Sequence, residues 1–360
     1  MTAVEPPSSP ALEPTEPASD WEGHVSTVAQ KDGEGWVTAR PPKAKEILLR
    51  ILGFPGLVRR HWDLLTTSCR RELEARFSGT VLGWLWPLFH PLFLFVVYYF
   101  IFANLLQVKI PNLPEDLKAA FGVWMFVGIT VWAAIAETLN RGTNVIVDNG
   151  NLIKKLAFPS EILPLNLTIV GLITLAFAVT MFVLACFLTP MWRAPGIELL
   201  WVPVLLLVQG LFTYGLTLFL STLQVFLRDT LQVVAVVTTV WMFATPIFWS
   251  PQVMPPSVTE FMPLLALNPV YHLVQAWRGA LVGDLYVDPR KFDSETGEVV
   301  MTVNEAGERV PELLDITGGY VSEVAPIATH IGVVSIWALA FYVIGFAFFV
   351  LCQRRFADEV

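Results

Sequence analysis

The sequence predicts an all-α integral membrane protein. Six transmembrane helices are expected, with an N-terminal amphipathic interface helix, a re-entrant helical hairpin between the fifth and sixth spans, and a small extracytoplasmic β-hairpin insertion. Three observations carry this reading. The 360-residue chain is 54% hydrophobic and 15% charged, with a mean hydropathy of +0.59, far more apolar than a soluble protein of its size. Apolar runs at about 80–106, 119–139, 162–188, 199–227, 230–249 and 325–351 reach the length that crosses a hydrocarbon core. Between the last two runs, prolines at 251, 255, 256, 263 and 269 cut two half-apolar segments too short to span.

Residues 1–44 are rich in Pro, Glu and Ser without hydrophobic periodicity, a composition that cannot bury enough apolar surface to fold. A disordered tail is expected there. The extreme N-terminus lacks the basic start and apolar stretch of a signal peptide. Within a segment bounded at 45–78, Leu57, Leu64, Leu65, Leu73 and Phe77 interleave with Arg59, Arg60, Arg70, Arg71 and Arg76. That pattern predicts one basic amphipathic helix lying in the headgroup plane of the cytoplasmic leaflet.

The permease domain is expected over 79–351. Its first run opens GTVLGWLWPLFHPLF, where Pro87 and Pro91 invite kinks and Trp84 and Trp86 mark an aromatic belt or a substrate-path lining. His90 has no second ligand or carboxylate near it in sequence and reads as a satisfied buried residue. Lys and Arg concentrate in the loops that face inward if the N-terminus is inside: the arginine-rich helix, then Arg141, Lys154 and Lys155, then Arg228, then Arg354 and Arg355. The short outer loops hold only Lys109, Lys118 and Arg193. This asymmetry predicts both termini in the cytoplasm.

The inner loop ETLNRGTNVIVDNGNLIKKLAFPSEILPL is too long for a turn and predicts a short helix over about 140–147, with a turn at Asp148-Asn149-Gly150. The re-entrant hairpin is placed at about 251–282. The outer insertion, about 283–322, is polar and contains strand-like pieces such as Val299 to Val303 between turn signals. A cytoplasmic tail closes the chain at 352–360.

No phosphate-binding G-x-x-x-x-G-K-[ST] loop occurs, nor H-E-x-x-H, G-x-S-x-G or paired cysteines. The chain is therefore expected to be non-catalytic, with no metal and no nucleic-acid partner. Cys69, Cys186 and Cys352 lie far apart and read as packing residues. Among span residues, Glu137 near the inner end of the second run is the exceptional carboxylate, too little for a proton-coupled carrier.

Four motifs then acquire meaning together: RRELEARFSGTVLGWLWPL at 70–88, NGNLIKKLAFPSEILP at 149–164, FLRDTLQVV at 226–234, and TPIFWSPQVMP with LNPVYHLVQAWRG at 245–279. In this order and spacing the chain resembles the membrane subunit of ABC-type polysaccharide and polyol-phosphate exporters, the permeases of O-antigen, capsule or teichoic acid within the type-two ABC permease superfamily. The resemblance implies a homodimer joined to two copies of a separate ATPase chain that binds ATP and Mg, and a lipid-linked polysaccharide as substrate. It implies ATPase coupling through Arg70, Arg71, Glu72, Asn144, Lys154, Lys155, Arg228 and Asp229. It places Pro255, Asn268, Pro269 and Arg278 in a hairpin at the outer mouth. Aromatic faces at Trp84, Trp86, Phe248 and Trp249 are candidate sugar-stacking surfaces. A drug or small-lipid exporter of the same superfamily and, more remotely, a membrane-embedded glycan transferase remain alternative readings.

Overall fold

The computed structural model describes residues 42–77, 120–155, 159–188, 195–249, 262–282, 300–303, 309–311 and 326–360, with scattered positions between 86 and 105. The tail over 1–41, Trp84, His90, Pro255 and most of the outer insertion lie outside the described residues.

The arginine-rich segment forms two helices, α1 (Ala44–Arg60) and α2 (Trp62–Phe77), where the sequence predicted one. His61 interrupts them. Its ring Nδ1 bonds the Leu57 carbonyl at 3.1 Å, sharing the oxygen that the His61 backbone N–H also uses. Backbone bonds still cross the junction, from His61 N–H to Leu57 and from Leu65 N–H to His61 at 3.0 Å, so the interruption is local to one residue.

The second half of the segment does not lie across the end of the bundle. Leu65 packs against Ile162, the Cys69 thiol meets the Asn166 carbonyl at 3.9 Å, and Arg76 reaches Thr174 at 3.4 Å. The contacts advance along both helices together, so α2 runs beside α6 (Ile162–Leu188) for about 18 Å, three turns at the helical rise. A helix flat in the headgroup plane would not make this series.

The spans are helical because their apolar runs leave no alternative in hydrocarbon, where every backbone polar group must be satisfied within the segment. Gly122–Thr143, Ile162–Leu188, Ile197–Phe226 and Ile327–Arg355 are long and apolar enough to cross. The first belongs to α3 (Ala120–Thr143). The expected separate helix from Asn140 is corrected: α3 runs through it to Thr143, and α4 (Val145–Asp148) and α5 (Gly150–Lys155) follow. Asn149 marks the second break, its side chain bonding the Val145 carbonyl at 2.8 Å.

A 3₁₀ turn at Ile197–Trp201 leads into α7 (Val202–Phe226). Next comes α8 (Thr230–Ala244), 15 residues, about 22 Å. The sequence predicted a run to Trp249; the helix stops five residues earlier. Pro246 is the cause, since the residue before a proline is driven from helical to extended backbone, and Thr245 sits at φ −97°, ψ 136°. Two further helices follow, α9 (Met262–Ala266) and α10 (Pro269–Val282), separated at Leu267-Asn268. Strands β1 (Met301–Val303) and β2 (Arg309–Pro311) pair antiparallel, Thr302 opposite Val310. The chain closes with α11 (Ile327–Cys352) and α12 (Phe356–Glu359).

The main core is built from α3, α6, α7, α10 and α11, with Met125, Ile135, Phe212 and Trp277 fully enclosed. A second core sits where α1 meets the bundle: Phe54 stacks on Tyr214 at 5.3 Å and abuts Phe346 at 5.4 Å. Helices α7 and α11 approach backbone to backbone at Gly215 and Gly345, where a Cβ on either glycine would collide with the other helix. Small residues permit such close approach in membrane bundles. Cys69 and Cys186 are buried free thiols, in keeping with a packing role.

Candidate functional site: two polar girdles at the ends of α8

The first girdle joins α2, α3 and the segment after α3. Arg76 Nη2 meets Glu137 Oε1 at 2.8 Å, and Arg141 pairs with Glu72 and, more distantly at 3.9 Å, with Glu137. Burial between α3 and α6 lowers the Arg76 pKa, and the charge of Glu137 partly offsets this. Among the described residues the Arg76 Nε has no hydrogen-bond partner. Four alternating charges thus hold α2 against α3.

The same region contains Asn144, which separates α3 from α4. Its Nδ2 donates to Asp148, and its Oδ1 accepts from Gln224 Nε2 at 3.3 Å. Gln224 also donates to the Arg228 carbonyl at 3.1 Å and accepts from the Leu231 N–H at 2.9 Å. One buried amide therefore links three segments.

Of the residues implied in coupling, Glu72, Asn144 and the Arg228 backbone are brought into these contacts. Arg70 pairs along its own helix with Glu74 at 2.7 Å and is largely exposed. Arg71, Lys154, Arg228 and Asp229 present exposed side chains, and Lys155 ends α5. Outward charges of this kind suit a surface that meets another protein.

The second girdle surrounds α10. Asn268 precedes it and accepts from the Val270 N–H at 3.0 Å, satisfying one of the unpaired donors at a helix start. Pro269 occupies the first helical position, where its missing N–H costs nothing. Asn268 also accepts from Trp241 Nε1 at 2.9 Å and donates to Thr245 at 2.9 Å, tying α10 to the end of α8.

Arg278, 4% exposed, lies 3.1 Å from the centroid of the Trp124 ring. It donates to the carbonyls of Trp124 at 3.1 Å, Pro246 at 2.8 Å and Ile247 at 3.4 Å, and to Gln275 at 3.0 Å. No carboxylate appears among these partners. The cation is held by carbonyl dipoles and an aromatic face, which can compensate a buried charge when several converge.

The aromatics are less concentrated. Phe248 and Trp249 follow α8, half-buried; the Trp249 ring donates to the Phe243 carbonyl at 3.0 Å, and Phe248 lies 5.7 Å from Phe243. Trp86 is 38% exposed. These positions are not brought together into one stacking surface among the described residues.

Sequence reasoning passed over Gln224, Trp124 and the buried His272 and His330, whose Nδ1 atoms are 2.9 Å apart. A signal existed for Gln224 and for Gln209, which accepts from Trp277 at 2.8 Å: amides inside apolar runs are expensive unless paired. Among the described residues no group of His, Cys, Asp and Glu forms a metal-binding set.

Residues 63–282 match the family model of the ABC-2 type transporter. The chain belongs to that family. The match begins in α2 and ends with α10, so it takes in both girdles. Curated relatives include the O-antigen export system permease protein RfbA of Klebsiella pneumoniae, 29% identical over 219 residues, covering 60% of this chain and 79% of the relative. A permease of the same name from Myxococcus xanthus is 29% identical over 215 residues, with 60% and 78% covered. As an ABC-2 family member with these apolar helices, the chain is a multi-pass membrane protein and the transmembrane subunit of an ABC transporter. Membership implies pairing with an ABC ATPase.

Proposed function

We propose that this chain is the conduit of an ATP-driven exporter moving a lipid-linked polysaccharide, of the O-antigen, capsule or teichoic-acid kind, across the bacterial plasma membrane. It works as a homodimer with two copies of a separate ATPase, which binds ATP and Mg; this chain carries no cofactor. Six spans, both termini in the cytoplasm, a re-entrant hairpin at the outer mouth and an extracytoplasmic insertion at 283–322 complete the arrangement. The observation that carries the substrate is the similarity, over most of their length, to two permeases named for O-antigen export. The charges of Arg70, Arg71, Lys154, Arg228 and Asp229 form the docking face for the ATPase. Glu72, Asn144 and Lys155 complete it. Trp84, Trp86, Phe248 and Trp249 supply stacking surfaces along the glycan path, and Pro255 belongs to the hairpin turn.

The test is purification in mild detergent followed by ATPase assay with and without a lipid-linked O-antigen preparation. A stoichiometric ATPase whose turnover rises with the glycan is expected. Absence of any ATPase would remove the engine; an ATPase stimulated by amphipathic drugs but not by glycan would move the substrate class.

A further inference from the structure

We propose that Gln224 is a positioning residue that transmits displacement of the Asn144 segment to α8, and through α8 to the α10 hairpin. The inference rests on the reading that the segment around Asn144 meets an ATPase.

Gln224 sits in the last turn of α7 and is 5% exposed. Each end of its amide is used. The nitrogen donates to Asn144 Oδ1 at 3.3 Å and to the Arg228 carbonyl at 3.1 Å; the oxygen accepts from the Leu231 N–H at 2.9 Å. The Leu231 amide is one of the first-turn donors of α8 that the helix itself leaves unpaired. Asp229, at the N-cap position, makes no side-chain cap. Gln224 therefore caps α8 from the neighbouring helix.

A move of Asn144 must either leave one N–H of a buried amide unpaired, which is costly, or carry the α7–α8 turn with it through the two bonds that Gln224 keeps there. The far end of α8 is also fastened, by the Trp241–Asn268 and Thr245–Asn268 bonds and by Arg278 on the Pro246 carbonyl. Along its length α8 turns Val233, Val236, Val237 and Val240 outward. On its other face Val234 and Thr238 are buried and Asn140 Nδ2 of α3 donates to Thr238 at 3.5 Å, so a short helix tied at both ends moves as a rod along α3.

The experiment compares wild type, Gln224→Met, Asn144→Ala and the double variant, each reconstituted with the ATPase in proteoliposomes, with lipid-linked O-antigen as the transport probe. Gln224→Met keeps the side-chain length and removes both hydrogen-bonding arms. It is expected to assemble and hydrolyse ATP within about twofold of wild type while moving about tenfold less polymer per ATP, a coupling loss in the ordinary allosteric range. The double variant should be no worse than the poorer single. If Gln224→Met moves wild-type amounts per ATP, or if the two losses multiply, the relay is wrong and the exporter reading stands. If the wild-type chain binds no ATPase, the exporter reading falls and the relay with it.

Discussion

The Arg278 guanidinium carbon sits over Trp124, 3.1 Å from the ring centroid, and Arg278 Nε binds the carbonyl of that same residue. One side chain of α10 thus grips α3 while its other nitrogens hold the end of α8. This joins α3, α8 and α10 through carbonyl acceptors, with no carboxylate among the partners in the described residues.

Arg278→Lys is therefore expected to fail as a replacement. A single ammonium cannot reach the Trp124 and Pro246 carbonyls at once, nor stack as a plane. Thermal unfolding in detergent should show a loss of about 2 kcal/mol or more, the scale of charged hydrogen bonds removed from a buried site. An unchanged midpoint would show that the grip contributes nothing to stability.

Gly128 is the space that admits the guanidinium, since a Cβ there would stand 2.6 Å from Arg278 Nη2. Because the guanidinium is held through Nε and Nη1 on the Trp124 and Pro246 carbonyls, Gly128→Ala should cost about 1–3 kcal/mol, as overpacking does. Gly332 in α11 has open space around a Cβ, so Gly332→Ala should be neutral or gain up to about 1 kcal/mol from helix propensity. The pair measured side by side separates a steric cost from a general glycine effect.

Glu72 and Arg141 tie α2 to the end of α3. Charge reversal at Glu72 alone sets two cations against each other and should loosen the contact, lowering transport per ATP. Glu72→Arg combined with Arg141→Glu restores an opposite pair, and recovery is the expected result. The interaction energy from the cycle should be about 1 kcal/mol or less, given the partial exposure of both groups. No recovery in the swapped variant would mean that each residue acts through other partners.

Glu161 precedes α6 in a buried turn, and burial raises its carboxyl pKa above the ordinary 4.5. A carboxyl raised in the folded state favours folding in its protonated form. Its contribution is full below the ordinary value and is lost as pH rises through the folded value. Glu161→Gln should therefore raise the unfolding midpoint at pH 7 to 8, with the advantage vanishing near pH 4. A variant less stable than wild type at pH 8 would show that the charged carboxylate is held by its neighbours.

The sequence by itself determined the class. Long apolar runs of 162–188 and 325–351 correspond to α6 and α11 almost residue for residue, because in hydrocarbon a backbone of that length must be helical. The family was also readable, from four short motifs in fixed order. Boundaries governed by a single residue were less secure: Pro246 shortens α8 and His61 divides the interface helix, both local effects that a hydropathy pattern averages away.

Tertiary structure alone decided the girdles. Arg278 was visible as a charge in a half-apolar segment, but its partners are carbonyls, which every residue has and which no sequence distinguishes. Gln224 matters through Asn144, 80 positions away, and the course of α2 beside α6 follows from which faces pack. Such pairings depend on how helices meet in space, and a buried polar atom takes whichever partner packing brings within reach.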